Sequence, residues 1–361
     1  MYDLGYRSLF PPLCLQELGF MLQLLSCCTN TALYAVTQSD RICYALRTIN
    51  PVYYPMLAAF AVPVNVLTIV VLSRGKCGLS ASVTHYLVSM AAADLLVVIL
   101  DVVLNQVPIA YREQFSFLNA VHVYNIHAVL LYAATDCSVW FTVAFTFDRF
   151  VHICCQKLIS KYCTRRTAAV VLGTVMVLSC LNIFWYFMLK GEYHFGYYPW
   201  FCLERPGILQ SPVWAAIEFL HYIFTPTVPF CLILLLNALT TRHVLVSSRA
   251  RRRLRVSSTG EKVRDTEMES RRKSLALLIA ISGNFVLLWG LYVIYNIWGR
   301  MIDLGCLSSA PHLFLQELGF MLQLLSCGTN TALYAVTQTK FREQLKEMVK
   351  FPFTLFAKSL A

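Results

Sequence analysis

Charge is scarce in this sequence. Of its 361 residues only 14% are Asp, Glu, Lys or Arg while 58% are hydrophobic, which leaves too little polar surface to cover an ordinary water-soluble domain. There is no Asn-x-Ser/Thr sequon, so no N-glycan marks an outer face. Neither HExxH nor GxSxG occurs, and His122 and His127 stand five apart rather than at the four-residue spacing that turns two imidazoles toward one metal. These absences weigh against a metalloprotease or a serine hydrolase, and no cofactor is implied. The alternation of apolar and polar residues that a membrane β-barrel requires is missing as well.

Apolar runs are abundant instead. Seven lie at 52–72, 83–104, 121–152, 167–189, 212–246, 271–298 and 312–337, and a bilayer core of roughly 30 Å needs about 20 apolar residues per helix. Lipid gives backbone N–H and C=O groups no outside partner, so each run is expected to be helical. The expected architecture is an all-α membrane protein: a seven-transmembrane helix bundle over 51–338, after an N-terminal segment 1–50 and before a short amphipathic eighth helix and cytoplasmic tail at 339–361.

A net charge of +11 suggests nucleic acid only if its distribution is ignored. With the chain before 52 outside, the loops and tail facing the cytoplasm, together with the inner ends of the runs they join, hold 23 of the 30 Lys and Arg, which is the positive-inside pattern of a protein whose partner is the lipid bilayer. The densest run, Arg249, Arg251, Arg252, Arg253 and Arg255, falls between the fifth and sixth runs. A topogenic role and contact with a cytoplasmic protein stand equally for it. Most of the 14 Cys sit inside apolar runs, where a thiol behaves as a small hydrophobe. Cys43, Cys202 and Cys306 fall in outer segments, where an oxidising compartment permits a bridge of open connectivity.

Residues 1–38 repeat residues 301–338 with 30 of 38 positions identical. Solenoid copies and inverted transporter repeats diverge and spread through the chain, so this copy reads as a recent exon duplication or an error of sequence assembly. It adds an apolar segment near 13–37 before the bundle. That segment has a reduced positive start in Arg7 and no clear small-residue cleavage site, unlike a signal peptide.

Ionisable groups in a bilayer cost about 2.5 to 3.5 kcal/mol each, so Asp94 in the second run and Arg149 at the end of the third need a reason. Asn65, Ser138, Asn330 and Tyr334 keep them company in other runs. Hydrogen bonding between helices is the plain explanation for any one of these residues, while the set together points to a shared polar interior. Along the third run Leu131, Thr135, Ser138, Thr142, Phe145 and Arg149 recur at helical steps and share one face. That face leads from a mixed pocket above to a cation at the cytoplasmic edge.

These residues carry a resemblance. Asp148-Arg149-Phe150 resembles the DRY motif of rhodopsin-like (class A) G-protein-coupled receptors, Leu288-Trp289-Gly290-Leu291 resembles CWxP, and Asn330 through Tyr334 resembles NPxxY. Asn65 and Asp94 stand where that family carries an Asn and an Asp, and Phe341 opens the eighth helix at the family's interval. The resemblance covers roughly 50–350. Trp140, Thr142, Val143, Thr146, the Leu236-Asn237 pair and the stretch Ile183-Phe184-Trp185-Tyr186 are similar to an orphan subgroup around probable G-protein coupled receptor 139, associated with aromatic amino acids.

What the resemblance implies is a two-state bundle that binds an extracellular small molecule or peptide and activates a heterotrimeric G protein from the plasma membrane. Asp148, Arg149 and Phe150, with Arg251, Arg252 and Arg253, would face the G protein. Asp94, Ser138 and Asn330 would form a sodium site with Asn65 and Tyr334 beside it, although a protonated Asp94 bonded to Asn65 accounts for the same residues. Leu131, Tyr132, Thr135, Asp136, Glu218, Trp289, Asn296 and Glu317 would line the ligand pocket. Leu131 stands where aminergic receptors bind amines, and no Lys lies between Met301 and Thr339 for retinal, so neither class fits. Aromatic and amide groups with one or two carboxylates suit a zwitterion or a short peptide.

Several positions depart from the family. Tyr124 replaces the Cys that pairs with the second outer loop, leaving Cys202 without its usual partner; Leu291 and Thr331 replace two helix prolines; Arg271 replaces the acid that restrains the DRY Arg. A secondary transporter and a divergent receptor without signalling activity remain the rival readings.

Overall fold

The computed structural model describes residues 29–111, 121–181, 189–190, 203–204, 211–256, 266–303, 305–307 and 311–359. Helix α1 (Thr29–Ser73) runs for 45 residues with Pro51, Pro55 and Pro63 inside it. A proline lacks the N–H that would bond the carbonyl four residues back, so Pro55 leaves the Pro51 carbonyl without its helical donor. The Tyr111 hydroxyl donates to that carbonyl at 2.8 Å, and this cross-helix bond repairs the ladder. Arg41–Ser73 alone is long and apolar enough to cross a membrane, so the first span begins well before the expected residue 52. The last ten residues of the N-terminal copy, 29–38, continue upward from it as helix.

Helix α2 (Ala81–Tyr111) starts at a Ser80 cap whose Oγ accepts from the Val83 N–H, after a tight turn with positive φ at Gly75 and Gly78. Its middle, Val98–Gln106, is π-helical. Helix α3 (Val121–Cys154) is followed by a helical turn over Gln156–Tyr162, bent by 67° from α4 (Arg165–Cys180). The fourth run was expected to stay helical to 189; instead α4 stops at Cys180, and Leu189–Lys190 (β1) pairs antiparallel with Leu203–Glu204 (β2). The apolar run conceals this change because β1 takes its backbone partners from a strand that lies outside the run.

Helix α5 passes from Pro212–Tyr222 through a π-helical turn at Ile223–Thr227 into Val228–Val256. Helices α6 (Thr266–Asp303), α7 (Leu313–Thr337) and α8 (Thr339–Ser359) complete the order. At 21 residues α8 is longer than expected, and Phe341, Leu345 and Met348 on one face pack on the inner core cluster. Among the described residues five helices have the length and apolar character of membrane spans, and a sixth arises if the bent pair at α4 is one span. The seventh, α7, has 25 residues but interrupts its apolar character with Gln316, Glu317, Gln323, Ser326, Thr329, Asn330 and Thr331.

Packing is inverted relative to a water-soluble bundle. Asn65, Thr68, Asp94, Asp101, Asp136, Asp148 and Arg149 are buried, while Leu287, Val336, Met56, Leu181 and Leu178 are each more than 60% exposed. An outward apolar shell around a polar interior is what a bilayer selects. Helix α7 approaches two neighbours at glycines: a Cβ on Gly319 would lie 3.1 Å from the Tyr292 backbone of α6, and one on Gly328 would lie 3.2 Å from the Ala61 Cβ of α1.

Candidate functional site

The centre of the bundle is the carboxylate of Asp94 on α2, 1% exposed. The Ser138 hydroxyl of α3 donates to its Oδ1 at 2.5 Å and the Asn330 side-chain amide of α7 donates to its Oδ2 at 2.7 Å. Hydrogen bonds from two helices to a third tie α2, α3 and α7 together at this point. Asn65 of α1 donates to the backbone carbonyls of Ala61 and Cys327 and so ties α1 to α7 rather than bonding the acid. Thr68 and Thr331 meet hydroxyl to hydroxyl at 2.5 Å, so the residue standing in for the α7 proline makes a second tie to α1. Thr135 and Thr142 donate to the Leu131 and Ser138 carbonyls of their own helix. The Tyr334 ring packs edge-on against Phe341 of α8, and its buried hydroxyl has no hydrogen-bond partner among the described residues. A carboxylate, a hydroxyl and an amide converging from three helices form an oxygen-bearing set that suits a small hard cation.

At the cytoplasmic end Arg149 and Asp148 are both 4% exposed and paired through Asp148 Oδ2. The same guanidinium donates through Nη1 to the Ser274 hydroxyl of α6 at 3.3 Å. Arg271, one turn earlier on α6, cannot attract Arg149; a neutral acceptor takes over the restraint. Sequence reasoning stopped at Arg271 and missed Ser274, although three residues along a helix returns to the same face. Leu158 in the neighbouring turn is exposed between Lys157 and Lys161. The side chains of Arg251, Arg252, Arg253 and Arg271 lie outside the described residues, while the backbone of 251–253 continues α5 past Ser247, where its apolar span ends.

Toward the outside, Trp289 of α6 donates from Nε1 to the Ser326 hydroxyl of α7 at 3.1 Å, and Ser326 donates to the Gln323 carbonyl. Phe285 stacks beneath Trp289 at 5.3 Å, within an apolar cluster of Val139, Val143, Ile233 and Val293 that joins α3, α5 and α6. Asp136 is buried on α3, on the side where Tyr132, one turn outward, meets the His221 ring of α5 edge-on at 5.9 Å. Asn296 donates to the Tyr292 carbonyl of its own helix. Glu317 is drawn to α1, where Arg47 Nε is 2.9 Å from its Oε1. Leu131 and Thr135 are half-buried on α3. The side chains of Glu218 and Tyr124, and all of Cys202, lie outside the described residues.

A multi-pass bundle with a buried acid at its centre, an Arg closing its inner end and an aromatic-lined outer half defines a heptahelical membrane receptor. The model of the rhodopsin family of seven-transmembrane receptors matches residues 64–334, from the Asn65 joint to Tyr334, and the chain belongs to that family of G-protein-coupled receptors. It is similar to probable G-protein coupled receptor 142 of Mus musculus, with 22% identity over 306 residues that cover 82% of this chain and 72% of that protein. Membership of a receptor family answers the transporter reading.

Proposed function

We propose that this protein is a plasma-membrane receptor that takes an extracellular ligand between α3, α5, α6 and α7 and activates a heterotrimeric G protein at its cytoplasmic end. The observation that carries the reading is the Arg149–Ser274 contact, a restraint between α3 and α6 at the inner end of the helix that carries Trp289 farther out. A ligand that favours the arrangement in which this contact opens shifts the population toward it. Arg149, the exposed Leu158 and the basic end of α5 then meet the G protein. The ligand class that fits is an aromatic amino acid or a short peptide, in keeping with the aromatic wall and with the resemblance to the subgroup around probable G-protein coupled receptor 139. In cells expressing the full chain, a panel of aromatic amino acids and short peptides is expected to stimulate nucleotide exchange on at least one G protein, without ligand uptake into vesicles. Uptake without exchange would return the transporter reading.

Asp94, with Ser138 and Asn330, is the place for a sodium ion that favours the resting arrangement. Purified receptor should unfold at a higher temperature in NaCl than in KCl, because an ion bound to the folded state stabilises it. Asp94→Asn should remove that difference and leave folding intact, since an amide keeps the size and much of the hydrogen bonding. Equal midpoints in the two salts for the unsubstituted protein rule the ion out.

A further inference from the structure

The inner half of α5 carries a groove of about 650 Å³ on one helix face, within the size range of small-ligand clefts. Leu234, Ala238, Leu245 and Val246 give it an apolar wall, and Asn237 and Thr241 add polar groups. Two guanidiniums, Arg242 and Arg249, complete the lining. Both are exposed, and among the described residues no Asp or Glu pairs with either. Asn237 accepts from the Ser282 hydroxyl of α6 at 3.0 Å, so the groove runs beside the contact between α5 and α6.

Depth in the bilayer decides what can fill it. The apolar span of α5 ends at Ser247, and Val244 packs on the inner core cluster with Phe145, Ile153 and Phe341. Arg242 therefore lies within the last two turns of the span and Arg249 just past its end, at the level of the cytoplasmic headgroups. Leu234, at the other end of the groove, is roughly 20 Å farther into the bilayer than Ser247. Leu234, Leu245 and Val246 are exposed, which in this bundle means that they face lipid. A soluble partner arriving from the cytoplasm meets the arginines but not Leu234, whereas a phospholipid reaches both ends. Arginine stems lie along apolar surface while their planar heads take phosphate oxygens two at a time. The two guanidiniums spring from positions roughly 10 Å apart along the helix, which suits a headgroup with two separated anionic groups.

We propose that this groove binds one anionic phospholipid of the cytoplasmic leaflet, whose headgroup bears a second phosphate beyond its phosphodiester. Arg242 and Arg249 take the two anionic groups, Thr241 stands between them as a further donor, and an acyl chain lies over Leu245, Ala238 and Leu234. The site depends on the membrane bundle alone and holds whether or not the receptor couples to a G protein.

The test titrates the full chain, purified in a neutral detergent without a G protein, with phosphatidylinositol 4-phosphate, phosphatidylglycerol or phosphatidylcholine, and counts bound lipid by native mass spectrometry. One phosphatidylinositol 4-phosphate should be held most tightly, phosphatidylglycerol more weakly, and phosphatidylcholine should leave with the detergent. Arg242→Gln/Arg249→Gln should weaken phosphatidylinositol 4-phosphate binding about 25-fold, roughly fivefold for each guanidinium. Arg165→Gln/Arg166→Gln removes the same charge at the start of α4 and should change binding far less. If the α5 double variant fails to fold, Ala238→Trp serves in its place: it fills the groove without altering charge and should also weaken binding. No preference for the anionic lipids, equal affinity for phosphatidylinositol 4-phosphate and phosphatidylglycerol, or an equal loss in the α4 variant overturns the proposal. Unchanged lipid binding in Arg242→Gln/Arg249→Gln, with nucleotide exchange lost, would give the groove to the G protein and overturn it as well.

Discussion

Replacing Arg149 with Ala is expected to reduce G-protein nucleotide exchange to the level of untransfected membranes while surface expression persists, and replacing Ser274 with Ala is expected to raise exchange without ligand. The opposite signs follow from the two uses of one guanidinium. It is held by Asp148 and by the Ser274 hydroxyl; on the proposed function, movement of α6 would release it as a cation presented to the partner. A hydrogen bond to a charged group contributes about 1.5 to 3 kcal/mol, and this one is long and only half-buried. Its loss should shift the resting balance by roughly 1 kcal/mol, about fivefold in the ratio of open to closed forms. Arg149→Ala also leaves Asp148 buried without its cation, which is destabilising in its own right. The double variant Asp148→Asn/Arg149→Ala removes that charge, so loss of exchange in both variants with normal surface levels assigns the effect to the guanidinium. Exchange at the unsubstituted level in Arg149→Ala would remove the coupling role, and unchanged basal exchange in Ser274→Ala would remove the restraint.

The bundle was legible in the sequence because lipid enforces length and apolarity on each span, and the third, sixth and seventh helices begin and end within a few residues of their runs. The Asp94–Ser138–Asn330 joint was legible too, since charged and amide residues in apolar runs have few places to go. What escaped was set by partners remote in the chain. Glu317 reads from the sequence as a pocket acid, and nothing in the run predicts that Arg47, 270 residues away, binds it. Asp101 sits in an ordinary apolar run, and only the π-helical register shows that Asn105 and Gln106 converge on one of its oxygens. Thr331 reads as a missing proline, whereas in the fold it is a hydroxyl tie to α1. Helical periodicity reports which face a residue occupies and is silent on the neighbour across the gap.

The repeat gives the second large effect. The copy at 1–38 keeps Glu17, Asn30 and Tyr34, the counterparts of Glu317, Asn330 and Tyr334, but carries Cys28 where α7 has Gly328. Gly328 is where α7 meets α1, with the Ala61 Cβ 3.2 Å and the Phe60 ring 3.5 Å from any added Cβ. A cysteine brings both a Cβ and a sulfur into that contact, and overpacking of this kind costs about 1 to 3 kcal/mol. The copy is therefore a poor tenant of the α7 position even at near-identical sequence. Two results are expected. Gly328→Cys should lower the unfolding midpoint and reduce surface receptor several-fold, because the same helix pair also holds the Asn65–Cys327 and Thr68–Thr331 bonds. Deletion of residues 1–40 should leave surface expression and nucleotide exchange intact, since Arg41–Ser73 is itself long enough to span and retains Arg47, Tyr53 and Asn65 for their bonds to α7. Surface loss on that deletion, or a Gly328→Cys protein as stable as its parent, would show that the copy rather than 301–338 can furnish the helix beside α1.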